Sequence, residues 1–164
     1  MSELSLSGAE MLAWLEKTSD GWRQLATEHP ELLAFPCDVM GVTTVGELLQ
    51  HIVAVELRYA EQLTGLPPTD YAAIPYGSAE EIYATHERAM KLLRELLDSN
   101  VDWTERIKFM TRSMGPAQSS RKTVFFHATL HSIRHYAQLA TLVRQHGLKP
   151  GWAMDYMMMD FEQA

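Results

Sequence analysis

His127-Ala-Thr-Leu-His131-Ser-Ile-Arg-His135-Tyr-Ala-Gln138 places three of the chain's seven histidines four residues apart. On an α-helix, residues at that spacing stand one above the other, only about 40° apart in projection. Two such imidazoles can meet one cation without straining the backbone. His131 and His135 are therefore read as half of a metal site, and the rest must come from another part of the fold.

Outward from this stretch, Ser119-Ser120 can cap the helix at its start, and His146-Gly147 is a good stop. Upstream, Val101 to Ser119 has no helical period. Trp103, Ile107 and Phe109 alternate like a short strand until Met114-Gly-Pro breaks it. So long a stretch without a helix pattern is expected to be a functional loop.

Ser78-Ala-Glu-Glu81 reads as a capping box opening a helix to about Asp98, with Ile82, Ala89, Leu93, Leu96 and Leu97 on its buried stripe and His86 among them. Thr44-Val-Gly-Glu47 is a second such box. Its helix runs to about Thr64, where Gly65 and Pro67-Pro68 end it. The apolar sector there is Val45, Leu48, Leu49, Ile52, Tyr59 and Leu63. His51 lies at its margin, and Glu56 projects into its middle.

The segment 66–77 between these helices is expected to be a surface connection. Before them, Gly8 to Glu28 carries Met11, Leu15, Trp22 and Ala26 on one face, weakened by Gly21 and ended by His29-Pro30. The expectation is an all-α chain, an antiparallel four-helix bundle in a single domain over residues 1–164.

Composition narrows the function. At 46% hydrophobic and 21% charged residues the chain is globular rather than disordered. A net charge of −7 leaves no basic stripe to track phosphates, which argues against nucleic acid. No apolar run is long enough to span a bilayer. The opening Met1-Ser-Glu-Leu-Ser-Leu-Ser lacks the charged and apolar regions of a secretory signal, and Cys37 is the one cysteine. Both fit a cytoplasmic protein, with Cys37 a small hydrophobe rather than a nucleophile.

Catalytic zinc sites use three protein ligands and keep a position for water or substrate. His51, on a helix facing the same interior, suits the third place. The stretch Thr44-Val-Gly-Glu-Leu-Leu-Gln-His51, with Glu56 and Tyr59 after it, resembles the second helix of the DinB/YfiT-like superfamily. His131-Ser-Ile-Arg-His135-Tyr-Ala-Gln138 is similar to that family's H-x-x-x-H-x-G-Q helix, with Ala137 in place of the usual glycine.

The resemblance spans nearly the whole chain. It implies that His51, His131 and His135 bind one divalent metal ion, zinc or nickel, in a bundle that forms a homodimer. It also implies relatives that are transferases using a low-molecular-weight thiol.

Each residue also has a plainer reading. A histidine pair at i,i+4 taken alone is more often a polar helix face than a site. His127 extends that face by one turn, but a fourth ligand would close the site. His86 on its apolar stripe reads as a hydrogen-bonded core histidine, and Glu56 as a carboxylate paired with a cation across the core. Gln138 can hydrogen-bond a ligand or merely pack. Met157-Met158-Met159 reads as packing rather than a soft-metal site.

Phe126, Leu130, Ile133, Ala137 and Ala140 form a second apolar sector on the last helix, opposite the histidines. That sector motivates the dimer expectation. Two chemistries suit a three-histidine metal: activation of a thiol for attack on a small-molecule substrate, or of water for hydrolysis. The contrasting class is a non-enzymatic metal-binding stress-response protein. Loops 66–77 and 101–119 are the expected walls of a pocket.

Overall fold

A computed structural model describes residues 4–163. The leader reading of the N-terminus begins at residues 1–3, which lie outside them. Four long helices carry the fold: α1 (Gly8–Glu28), α2 (Val45–Leu63), α3 (Ala79–Leu97) and α4 (Arg121–Gln145). Helix α2 packs on α3 and α4, and α1 packs on the same two, so the four close a ring around one apolar core.

The starts follow from capping chemistry. Thr44 Oγ1 accepts from the Glu47 amide at 3.2 Å, and Glu47 Oε2 accepts from the Thr44 amide at 3.3 Å. Ser7 and Glu10 make the same reciprocal pair at α1. At α3 only half of the expected box forms. Ser78 Oγ caps Glu81, but the Glu81 carboxylate reaches one residue further back, to the Gly77 amide at 2.9 Å. Ser120, not Ser119, caps α4.

The chain is mainly helical but not all-α, because two antiparallel hairpins lie between its helices. Strands β1 (Pro36–Val39) and β2 (Val42–Thr44) lead directly into α2. Strands β3 (Arg106–Thr111) and β4 (Gly115–Ser120) occupy the stretch expected to be a loop. There Ile107 and Phe109 turn inward while Arg106, Lys108 and Met110 face water, the period-2 pattern of a half-buried strand. Gly115 at its turn has φ +73°, which a glycine adopts at little cost.

Helix α2 is the spine. Fourteen of its residues are buried, including Val53, Ala54, Leu57 and Ala60 outside the expected sector. Tyr59 and Leu97, expected on buried stripes, are only half-buried. The segment 66–77 is not a loose surface connection. Glu61 on α2 accepts from both the amide and the hydroxyl of Thr69 at 2.6 Å, Arg58 donates to the Thr69 carbonyl, and Gln50 Nε2 donates to the Ile74 carbonyl at 2.6 Å. Ile74 is buried as a result.

Gly21, unexpected in a helix, has a packing reason. The Trp152 indole lies on it so closely that a Cβ would meet the ring at 2.2 Å. Trp152 brings the C-terminal segment across α1 and α4, where Trp14 Nε1 donates to the Met154 carbonyl at 2.9 Å. This segment and α4 border a cavity of about 800 Å³ lined by Ile133, Ala137 and Ala140, on the side of α4 away from His131 and His135. The tail therefore faces part of α4's second apolar sector. Leu130 remains exposed, and Met157 of the methionine cluster is exposed too.

Candidate metal centre

His51 on α2 and His131 and His135 on α4 converge inside the helical core. His51 Nε2 lies 3.1 Å from His131 Nε2, and His131 Nε2 lies 3.2 Å from His135 Nε2. All three ligand atoms fall within 4.8 Å of one another. Two nitrogens bound at ~2.1 Å to one cation stand about 3.0–3.4 Å apart for angles near 90–110°. The His51–His131 and His131–His135 spacings fit.

The rings are 7%, 8% and 1% exposed, so each neutral imidazole must find its hydrogen bonds locally. His135 does: its Nδ1–H donates to Gln138 Oε1 at 2.7 Å, one helical turn on. That bond selects the tautomer whose Nε2 lone pair faces the other two rings. Arg134 Nη2 donates to this Nε2 at 3.3 Å. A ring proton on His131 cannot serve both of its close neighbours well. Converging lone pairs of this kind are the donor set of a divalent cation.

Burial is the largest cause lowering the pKa of each ring. His51 is pushed down to about 4, with His135, Arg112 and Arg134 adding to the effect. His131 is held far below its usual value by burial and then by the neighbouring imidazoles. His135 is lowered by burial against the opposing pull of Gln138. Near neutral pH the rings are uncharged, the state in which imidazole binds metal.

The other singled-out residues separate cleanly. His127 is exposed and stands edge-on to the Tyr59 ring, outside the three-histidine cluster. His86 and Glu56 are not near the cluster's ligand atoms but pair with each other, His86 Nδ1 to Glu56 Oε2 at 2.7 Å. That is the core partner expected for Glu56. Burial raises the Cys37 thiol's pKa, in keeping with an unreactive side chain.

Three contributors escaped the sequence reading. Tyr71 is delivered by the pinned 66–77 segment, its ring centre 6.5 Å from that of His51. The Arg112 guanidinium, from the β3–β4 turn, lies 3.8 Å over the Tyr71 ring centre. Arg134 lies within the quoted motif but has no ligand chemistry of its own to mark it. Each of the two expected loops thus brings a residue toward His51, the second through a hairpin.

No curated protein matches the chain. Among solved structures, a DinB-like protein from Bacillus cereus matches with a TM-score of 0.64 and 23% identity, covering 85% of this chain and 90% of that one, a likeness of fold. The sequence model of the DinB family matches residues 1–163. With that match over nearly its full length, the chain belongs to the DinB family.

Proposed function

We propose that His51, His131 and His135 hold one divalent cation, zinc or nickel, and that the protein is a metal-dependent transferase using a low-molecular-weight thiol. The convergence of three buried, neutral Nε2 atoms carries this reading. Three protein ligands are the pattern of catalytic rather than structural sites. A cation held by neutral imidazoles keeps its full charge and favours the deprotonated form of a coordinated thiol.

The chain's own groups do the positioning. Gln138 holds the His135 tautomer, and α2 presents His51 from the opposite side. Burial keeps bulk water away and the rings uncharged. Tyr71 stands beside His51 and carries the Arg112 guanidinium on its face. We further propose a twofold dimer through the uncovered part of α4's second sector, where Leu130 is exposed and Phe126 half-buried.

The test is metal analysis of protein purified without an affinity tag, followed by thiol titration of the cobalt-loaded form. One metal per chain and a sulfur-to-metal charge-transfer band support the reading. Metal-dependent ester or amide hydrolysis without such a band moves the assignment to hydrolase. Stoichiometric metal with neither signal moves it to a binding protein.

A further inference from the structure

Among the described residues, two arginines at the centre have no carboxylate partner, which Arg58, Arg106 and Arg144 also lack. Arg23, Arg88, Arg94 and Arg121 each reach a glutamate. Arg112 and Arg134 do not pair with any carboxylate among the described residues, although the chain carries a net charge of −7. Both stand beside the three-histidine cluster, Arg134 on His135 and Arg112 over Tyr71.

Arg112 is placed by construction. Gln62 on α2 clamps the Met110 backbone with two hydrogen bonds, accepting from its amide at 2.5 Å and donating to its carbonyl at 3.3 Å. Thr111 is buried and closes the turn, its hydroxyl donating to the Gly115 carbonyl at 2.9 Å and accepting from the Met114 amide. The guanidinium then lies on the Tyr71 face. A guanidinium held on a ring face keeps its edge N–H groups free for a bidentate acceptor.

Arg134 Nη2 occupies the lone pair of His135 that would face a cation, so a cation there frees this donor for another acceptor.

We propose that the small molecule taken at the three-histidine centre carries a carboxylate, which Arg112 and Arg134 recognise beside the histidines. This rests on the thiol-transferase reading for the site but not for its outcome. The anionic group sits on the thiol or on its acceptor, and both arginines select for it. A charge-assisted bidentate contact of this kind is worth about tenfold or more in affinity.

The experiment is equilibrium titration of the cobalt-loaded protein with 3-mercaptopropionate, 2-mercaptoethanol and acetate, read from the visible spectrum. Wild type is expected to bind 3-mercaptopropionate at least ~10-fold more tightly than 2-mercaptoethanol, with Arg112→Gln and Arg134→Gln each removing most of that preference. Affinity for 2-mercaptoethanol should fall less than that for 3-mercaptopropionate in either variant. Both arginines are exposed, so neither variant threatens the fold.

Equal binding of the two thiols, with acetate binding indifferent to both substitutions, would overturn the carboxylate selection and leave the thiol reading intact. Acetate binding that weakens in both variants, without a charge-transfer band from either thiol, would sink the thiol reading and uphold the selection. Failure to take up cobalt would sink both.

Discussion

The helical core holds two histidine centres, and they behave in opposite ways. His51, His131 and His135 are 7%, 8% and 1% exposed; His86 is 5% exposed beside a fully buried Glu56. Burial alone would depress every one of these imidazoles. It does so in the cluster, where the neighbours are other imidazoles and arginines. At His86 burial also pushes down, but the Glu56 charge and its 2.7 Å hydrogen bond together raise the pKa. The partner, not the depth, decides whether a buried histidine offers a lone pair or holds a proton. One centre presents converging lone pairs that suit a cation, and the other already has its counter-charge.

Breaking the cluster should have the largest and most specific effect. His131→Ala or His135→Ala should abolish stoichiometric metal, as measured by elemental analysis, while circular dichroism keeps its helical signal. Full metal occupancy in these variants and in His51→Ala would refute the assignment. Breaking the pair should do the reverse. Glu56→Ala should cost roughly 3–5 kcal/mol, because it leaves a buried imidazole without its counter-charge. Its metal content should be unchanged. A urea midpoint within error of wild type would show that the pair contributes nothing to stability.

Gln138→Leu sharpens the contrast from the cluster side. Removing the acceptor for His135 Nδ1 should weaken metal binding about 10–100-fold through loss of ring orientation. Because Gln138 is exposed, stability without metal should barely move. Unchanged metal affinity would mean that the Gln138 hydrogen bond does not orient His135 for a cation.

Much of this was legible in the sequence because periodicity and capping are local. Thr44 and Glu47 announce α2, and His131 and His135 share a face whatever surrounds them. The partner of Glu56 could be expected only as a cation, since nothing local points to His86 thirty residues on. The 101–119 stretch betrayed its first strand by alternation. Its second, Gly115–Ser120, is rich in small and polar residues and gives no apolar period.

Tyr71 and Arg112 were unreadable for another reason. Each is placed by tertiary hydrogen bonds, from the Thr69 amide to Glu61 and from the Met110 amide to Gln62, whose acceptors look like ordinary polar side chains of α2. Sequence patterns report which face a residue occupies. They do not report what a loop carries to that face.

The smallest expected effect is also the one that sets the two centres directly against each other, through pH. The cluster imidazoles have depressed values in the folded state. Between the ordinary histidine pKa near 6.5 and the value of about 4 at His51, the unfolded chain takes up protons that the folded chain refuses. Stability of the metal-free protein should therefore fall as pH drops through that window. His86 has the opposite sign. Its raised value means that the folded state binds the proton more tightly, so its contribution is fully present below pH 6.5 and fades as pH rises through the folded value.

Wild type should then lose stability toward acid less steeply than the cluster alone dictates. Substituting both members of the pair, Glu56→Gln with His86→Gln, removes the opposing contribution without leaving an isolated charge. Urea midpoints of the metal-free double variant at pH 7.5 and 5.5 should differ by more than those of wild type. A shallower dependence in the variant would mean that His86 does not hold its proton against burial, and that the two centres differ in geometry but not in charge.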